Sequence, residues 1–457
     1  MSSFPTSLFA GKRFAVVGLG RNGLPAARAL LAMGAAVLAW DDTEAARAAA
    51  GGIPLGDPCM AGGHFDALVL SPGIPHALPR PHRIAAWAVA AGVPILSDVE
   101  LLYQAVRAAG SRARFVGVTG TNGKSTTTAL LAHILARAGL PVAAGGNLGP
   151  AALALPLLPD AGIYVIEMSS YMLERIAGLR FDVAAMLNLS PDHLDRHGDM
   201  AGYALAKRAV FNRQNAADVA IIGIDDGDSR ALAEQLRARP ARVVTISGCQ
   251  PADICREQGI LRDASGDILR MSDAPALPGA HNAQNAAAAA AMAFVLGVSR
   301  ADVAAAIRGF PGLAHRQQRV GTIGGIAFVN DSKATNADAA ARALSCYERI
   351  VWIAGGIAKA GGIEPLAPLF PRIARALLIG RDGPAFAATL AAHGVAHQIA
   401  GTLDAAVPAA LAAARATGAE VVLLSPATAS FDQFSGFEAR GERFAALVAD
   451  LAREEAA

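Results

Sequence analysis

The run Thr119-Gly120-Thr121-Asn122-Gly123-Lys124-Ser125-Thr126 carries the residue types needed to grip a polyphosphate. It follows Arg-Phe-Val-Gly-Val at 114–118, which reads as a short buried strand, and precedes an Ala/Leu-rich stretch, about 124–138, which reads as a helix. A glycine turn from strand to helix aims backbone N–H groups and a helix N-terminus at an anion. Lys124 then reaches the outer phosphates, and a hydroxyl at Ser125 or Thr126 can hold Mg²⁺. The common form of this loop has Gly where Val118 stands, so this loop is a variant. The alternative is an ordinary Gly-Lys-Ser turn that only caps a helix.

Lysine is rare in this chain, five residues among forty Lys and Arg, so each one asks for a reason. Where any cation serves, the sequence writes Arg; where Lys stands, a primary amine or a compact charge is called for. Lys12 precedes the first strand and reads as solvated. Lys124, Lys207, Lys333 and Lys359 fall in segments rich in other polar groups. Lys207 is followed by Arg208. An amine, unlike a guanidinium, can add CO₂ and become a carbamate, an oxygen ligand for a metal; the alternative is an exposed helix lysine.

Other polar residues sit where strands end, the place where ligands bind in open α/β sheets. Glu167 ends Gly-Ile-Tyr-Val-Ile-Glu and reads as a Mg²⁺ ligand or a solvated acid. Asn188-Leu189-Ser190-Pro191-Asp192-His193-Leu194-Asp195-Arg196-His197 suggests a second metal, a proton-transfer group or a loop-stabilising network. Imidazole is an unusual ligand for Mg²⁺. Asn282 and Asn285 open an Ala-rich helix over 283–297, and Asn282 could simply cap it. Asn330-Asp331-Ser332-Lys333-Ala334-Thr335-Asn336 could clamp a phosphate or carboxylate. Gly355-Gly356-Ile357-Ala358-Lys359 repeats the strand-glycine-lysine theme, and the polar and aromatic run from Ser425 to Glu438 could shape a small-molecule pocket.

These residues need a scaffold of alternating strands and helices. Residues 1–110 open with the strand Phe14–Val17, then Gly18-Leu19-Gly20-Arg21-Asn22-Gly23 and a helix, then a strand over 36–40 ending at Asp41-Asp42. That is the layout of a dinucleotide-binding unit, and a tight turn without ligand is the alternative. A third strand, 67–70, ends in Ser71-Pro72-Gly73. Residues 111–314 hold strands at 114–118, 162–167, 183–188 and 218–223 and a hairpin within 259–273, predicting a mostly parallel sheet of P-loop type. Residues 315–457 hold strands at 326–330, 349–354, 376–380 and 420–424 and read as a second Rossmann-like α/β domain. The expected fold is thus α/β in three domains, with a hinge near 311–315.

Composition narrows the function class. Hydrophobic residues make up 53% of 457 and charged residues 17%, which fits globular cores. A net charge of +2 predicts no affinity for nucleic acid or membrane surfaces. No run of eighteen apolar residues and no secretory signal are seen, and the four cysteines lack metal-like spacing, so a cytoplasmic protein with reduced thiols is expected.

Taken together the chain resembles the Mur ligases, ATP-dependent amide-bond-forming enzymes of peptidoglycan synthesis. The likeness spans the whole chain. It rests on the 119–126 loop, Gly145-Gly146-Asn147-Leu148-Gly149, Glu167-Met168-Ser169-Ser170, Asp192-His193, Lys207, His281-Asn282 with Asn285, His315-Arg316 and the 330–336 run. The segment Ser425 to Gly441, with Asp432-Gln433-Phe434 and Phe437-Glu438, resembles the D-glutamate-adding branch. The resemblance implies a ligase that joins D-glutamate to UDP-N-acetylmuramoyl-L-alanine through an acyl phosphate, as a monomer. It implies ATP on Thr121, Asn122, Gly123, Lys124, Ser125, Thr126, Asn282, Asn285, Arg316 and Asp331. It implies two Mg²⁺ ions held by Ser125, Glu167, His193 and a carbamate on Lys207, and D-glutamate among Lys333, Thr335, Lys359, Ser430 and Phe437. The first domain would bind UDP, not NAD, through residues 18–23, Asp41 and Ser71-Pro72-Gly73, with Asn147 on the muramoyl part and Ser169 on the same substrate. The chain departs from well-known members at Met172, where they carry Gln, so the likeness does not extend to a substrate hydrogen bond there. Related readings are another Mur ligase or folylpolyglutamate synthetase; unrelated ones are an NAD(P)-dependent oxidoreductase and a nucleotide-binding switch.

Overall fold

The computed structural model describes residues 3–359 and 361–456. The fold is mixed α/β. Its first sheet is parallel, with β1 (Arg13–Val17) between β2 (Ala36–Trp40) and β3 (Ala67–Leu70), and β4 (Ile95–Leu96) at the edge beside β3. The strands are short and mostly apolar; β1 and β3, the inner pair, are almost wholly buried, while β2 at one edge is partly exposed.

The second sheet has nine strands. Its parallel core is β5 (Arg114–Thr119) flanked by β7 (Ile163–Glu167) and β8 (Val183–Met186), with β6 (Val142–Gly146) beyond β7. β9 (Val219–Gly223) and β10 (Arg242–Ser247) extend it past β8. β11 (Ile254–Glu257), β12 (Ile260–Asp263) and β13 (Gly266–Arg270) finish that edge, and the last two pairings are antiparallel. The expected hairpin is therefore a sheet edge, not a separate insertion. Register sets the chemistry: Val118 on β5 lies opposite Glu167 on β7, which lies opposite Gly146 on β6. The rings of Phe115 and Tyr164 stack at 4.8 Å across the same pair of strands and lock it, a contact worth about 1 kcal/mol beyond its buried area.

The third sheet runs β14 (Gln318–Ile323), β15 (Ile326–Asn330), β20, β16 (Ile350–Gly355), β18 and β19, with only the β14–β15 pair antiparallel. Here β18 is Ile373–Ile379, β19 His397–Gly401 and β20 Val421–Leu424. A two-stranded ribbon joins β17 (Ile357–Ala358) to β21 (Thr428–Ala429).

The chain forms two compact units. One comprises Met1–Ala274 and Ala280–Gly309, the other Pro275–Gly279 and Phe310–Ala457. Within the first, residues up to 110 and the central sheet share one core. The helix Asp98–Ala108 joins them, with Leu101, Leu102, Ala105 and Val106 buried alongside Phe14, Val16, Phe115 and Tyr164. Glu100 on this helix is fully buried and accepts the backbone N–H groups of Ala177, Gly178 and Leu179. Among the described residues, no helix is long and apolar enough to cross a membrane.

Candidate active site

The turn after β5 leads into the helix Lys124–Arg137, as read from the sequence. Gly123 is its N-cap in the left-handed region, at φ 84°. A Cβ there would stand 2.1 Å from Asn285 Oδ1, so both the backbone and the space demand glycine. Gly123→Ala is accordingly expected to cost at least about 1–2 kcal/mol in backbone strain alone. It should lower the melting temperature and weaken nucleotide binding together, which thermal unfolding and calorimetry would read. Ser125 is buried in the first helical turn, and Thr126 is half-buried beside it.

Lys124 folds back so that its ammonium donates to the carbonyls of Gly120 (2.9 Å) and Thr121 (2.8 Å). Lys207 donates to the same Gly120 carbonyl at 2.8 Å and lies over the Tyr203 ring, 4.6 Å from its centre. Lys207 is only 2% exposed, so it is not the solvated helix lysine that residue type alone allowed. Burial, reinforced by the Lys124 charge, holds its pKa well below the ordinary lysine range, and Asp192 and Glu167 oppose that shift.

Glu167 is 1% exposed and is not a solvated strand-end acid. Its Oε1 accepts from Asn147 Nδ2 at 2.7 Å, while its Oε2 is buried with no hydrogen-bond partner. A buried carboxylate oxygen left unpaired is costly and fits a cation ligand. His193 sits in the left-handed region at φ 53°, half-exposed, with its ring 5.1 Å from that of Tyr171. Burial holds its imidazole below the ordinary histidine range, against the pull of Asp192; the Lys207 and Lys124 charges act in the same direction as burial. Among the described residues no three His, Cys, Asp or Glu side chains gather as a metal site.

Asn282 and Asn285 bond to each other (3.0 Å) inside the first turns of the helix Ala280–Val295. Asn282 is therefore within that helix and not its cap. Asn285 Oδ1 accepts from Thr127 Oγ1, at 3.3 Å, on the nucleotide-loop helix. Thr121 and Asn122 are pinned from the other side. The Asn188 amide accepts from Asn122 N–H (2.9 Å) and donates to the Asn122 carbonyl (3.2 Å), and Thr121 Oγ1 contacts Tyr203 OH.

A cavity of about 490 Å³ opens at the C-terminal ends of β1, β2 and β3. Gly18, Gly20, Arg21 and Asn22 line it, as do Asp41, Ser71, Pro72, Gly73 and Asn147. A Cβ at Gly23 would collide with the Gly18 carbonyl at 1.8 Å, so the helix Gly23–Ala32 can start here only with glycine. Asp41 accepts from Leu19 N–H (2.7 Å) and from the Thr43 amide and hydroxyl. Burial alone would raise this carboxyl, but those hydrogen bonds hold it below the usual range. In a dinucleotide site this acid would bind ribose hydroxyls; here it braces the loop and also lines the cavity. Ser169 lies outside the cavity lining and caps a short helix by accepting from Met172 N–H. Met172 is buried in the core. Lys12 is exposed as expected, but it pairs with Asp66 at 2.8 Å.

Sequence reasoning missed three supports. His82 lines the cavity and bonds Asp42 at 2.9 Å. Arg175, 2% exposed, donates to the carbonyls of Leu70 (2.7 Å), Ser71 (3.0 Å) and Ile74, and so shapes the Ser71-Pro72-Gly73 turn from a hundred residues away. Arg440 is buried and ties Ser332 to Thr428.

The second unit holds the remaining candidates. The Lys333 ammonium sits 3.6 Å from the centre of the Phe437 ring, and Ser332 Oγ donates to the Phe437 carbonyl at 2.8 Å. Thr335 N–H bonds the Lys333 carbonyl. Lys359, exposed, and Ser430, 2% exposed, follow opposite ends of the β17–β21 ribbon. Asp331 accepts from Ser425 Oγ (2.8 Å) and Gln317 N–H, and burial pushes its pKa to about 7 even with Arg316 nearby.

Comparison with known proteins agrees with this geometry. A model of the Mur ligase middle domain matches residues 118–293, and one of the Mur ligase glutamate ligase domain matches 315–428. The chain is 52% identical over 452 residues to the UDP-N-acetylmuramoylalanine--D-glutamate ligase of Paramagnetospirillum magneticum, covering 96% of this chain and 97% of that one. It is 49% identical to the protein of the same name from Caulobacter vibrioides, over 98% of both. The crystal structure of a UDP-N-acetylmuramate-alanine ligase from Thermotoga maritima shares the fold, with a TM-score of 0.60 at 19% identity over 96% of this chain and 99% of that one. The nucleotide loop, the buried Glu167 and Lys207 and these matches lead to one conclusion: the chain belongs to the Mur ligase family.

Proposed function

We propose that the protein joins D-glutamate to the L-alanyl carboxylate of UDP-N-acetylmuramoyl-L-alanine, with ATP converted to ADP and phosphate, in peptidoglycan precursor synthesis. The observation that carries this reading is the convergence of Lys124, Lys207 and Glu167 on one strand-end loop, in a chain 52% identical to a ligase of that name. Four free cysteines agree with a cytoplasmic setting. We assign three functional segments: residues 1–110 for the UDP substrate, 111–314 for ATP and 315–457 for the amino acid.

A carboxylate is a poor acyl donor. In the first step its oxygen attacks the γ-phosphorus of ATP and ADP leaves, giving an acyl phosphate. In the second, the amine nitrogen of D-glutamate attacks the acyl carbon, phosphate leaves and the amine loses a proton. The first step brings two anions together, so charge neutralisation and alignment dominate. Lys124 turns its ammonium from the Gly120 and Thr121 carbonyls to the phosphates, and Gly123 to Thr126 present N–H and hydroxyl groups there, while the Thr121 and Asn122 N–H groups stay on Asn188 and hold the loop. Asn282 and Asn285 with Arg316 and Asp331 complete the ATP set. Two Mg²⁺ ions, when bound, neutralise phosphate charge, with Ser125 and Glu167 as ligands of one and His193 and a Lys207 carbamate as ligands of the other. The depressed pKa of Lys207 favours the neutral amine, whose nitrogen adds to CO₂ with release of one proton. The 490 Å³ cavity, with Gly18 to Gly23, Asp41 and Ser71 to Gly73, takes the UDP part. Asn147 and Ser169 serve the muramoyl part. Lys333, Thr335, Lys359, Ser430 and Phe437 receive D-glutamate, with the lysines paired to its carboxylates.

The test is phosphate release from ATP and Mg²⁺ with UDP-N-acetylmuramoyl-L-alanine and each of D-Glu, L-Ala, L-Lys and meso-diaminopimelate. D-Glu should be preferred by on the order of 10³-fold in kcat/KM: L-Ala and L-Lys leave one lysine unpaired, and meso-diaminopimelate spaces its two carboxylates further apart and brings a second ammonium toward the lysines. Robust ligation of a neutral or basic amino acid, with none of D-Glu, would overturn the reading.

A further inference from the structure

The helix Ala280–Val295 is rich in alanine, nine of its sixteen residues, yet it buries a glutamine in its second turn. Gln284 is 3% exposed. An amide is costly in a core unless both of its ends are bonded, and here both are. Gln284 Nε2 donates to Asp225 Oδ2 at 2.9 Å. Its Oε1 accepts from Asn188 Nδ2 at 3.1 Å. The same Asn188 amide donates to the Asn122 carbonyl and accepts the Asn122 N–H, closing on the backbone of the nucleotide loop. Asp225 is held in turn by Ser247 Oγ and by Gly248 N–H at 2.8 Å. Gly223 leaves the room this needs, since a Cβ there would come within 2.8 Å of Gln284 Nε2.

The polarity of this chain of bonds is fixed from its far end. Asp225 accepts on both of its oxygens, from Ser247 Oγ and Gly248 N–H, so it dictates that Gln284 faces it with the NH₂ end. The carbonyl end must then face Asn188, which takes one of the two Asn188 N–H bonds and leaves the other for Asn122. The Asn122 N–H and carbonyl demand the same orientation of the Asn188 amide, so the Gln284 bond reinforces it and holds the amide in place against the loop. Asn122 directly precedes Gly123 and the start of the helix, whose N-terminus points at the phosphates, so fixing the Asn122 peptide aims the turn.

We propose that Gln284 is a positioning residue for the nucleotide loop: anchored on Asp225, it orients Asn188, which holds the Asn122 peptide in the phosphate-binding conformation. This rests on the ATP chemistry proposed above. It assigns a role in ATP affinity to two side chains, Gln284 and Asp225, that do not touch the loop themselves.

The test compares Gln284→Leu, Gln284→Glu and the double variant Asp225→Asn/Gln284→Glu in the full chain. Binding of a non-hydrolysable ATP analogue is measured by calorimetry, and KM is measured for all three substrates. Gln284→Leu should weaken the analogue about tenfold, as expected when buried polar groups lose a partner, and should raise the ATP KM in step. The KM values for D-glutamate and the muramoyl substrate should stay within about twofold. Gln284→Glu should be worse, because two carboxylates then face each other. Adding Asp225→Asn should recover only part of that loss: the new amide at 225 can donate to the new carboxylate at 284, but the position its NH₂ takes is the Oδ2 that accepts Gly248 N–H in the wild type. Unchanged analogue affinity in Gln284→Leu would overturn the proposal. So would equal losses for all three substrates, or a double variant no better than Gln284→Glu, either of which would mark a general folding defect. A wild-type protein that binds the analogue but does not ligate D-glutamate would instead sink the functional reading and leave this inference standing.

Discussion

Lys207→Arg should lower kcat by roughly 10³-fold or more, the scale seen when a preorganised charge in a dry site is removed. Arginine keeps the positive charge and much of the length, so a purely structural cation at this position would tolerate the exchange. The site argues otherwise. Lys207 is buried, its nitrogen bonds the carbonyl of Gly120, and its pKa is driven well below the ordinary range by burial and by Lys124. Two cations on one carbonyl, beside a carboxylate with an unpaired oxygen, would repel Mg²⁺ if both stayed charged. The proposed addition of CO₂ to the neutral amine would reverse the sign at 207 and supply oxygen donors suited to that ion. A guanidinium cannot do this. Lys207→Ala should regain part of its activity when short carboxylic acids are added, because they can occupy the vacated anionic position. Full activity in Lys207→Arg, or a ligand-bound crystal structure with an unmodified amine at 207, would show the carbamate assignment to be wrong.

How far the site was legible in the sequence depends on the range of the contacts that build it. The nucleotide loop was readable because strand, glycines, lysine and hydroxyls are contiguous, and the structure places them as β5, turn and helix. Glu167 was readable as a charge ending an apolar strand, although only the register of β5, β6 and β7 shows why one of its oxygens is buried. Lys207 was ambiguous. Its helix, Met200–Arg208, looks amphipathic, and burial of the amine comes from Gly120 and Tyr203, far along the chain or across the helix. Arg175 and Gln284 gave no signal, since each acts on carbonyl or amide groups about a hundred residues away. Some strands that escaped notice lack β-branched runs or lie at edges, although β10, Arg-Val-Val-Thr-Ile-Ser in the interior of the second sheet, does neither. β6 reads Val-Ala-Ala-Gly-Gly, of low strand propensity, and is held by pairing with β7. β14 and β19 are the two outer strands of the third sheet.

Lys124→Ala is the second variant expected to be nearly inactive, and its loss should fall on the chemical step. In the protein the Lys124 ammonium is spent on two loop carbonyls, Gly120 and Thr121. Binding ATP requires those bonds to be exchanged for bonds to phosphate, so the lysine contributes less to ground-state affinity than a free charge would. As the carboxylate oxygen closes on the γ-phosphorus, negative charge accumulates on the phosphoryl oxygens and on the departing ADP. That is where a fixed cation in a water-poor site has its largest effect. The expected outcome is a fall in kcat of about 10²–10³-fold, while the Kd for ATP rises by a much smaller factor. Single-turnover phosphate release at saturating ATP, alongside calorimetric ATP binding, separates the two. If Lys124→Ala keeps its single-turnover rate and loses only affinity, the lysine is a binding residue and its place in the transition state is lost. If both are unchanged, the loop is not the phosphate site.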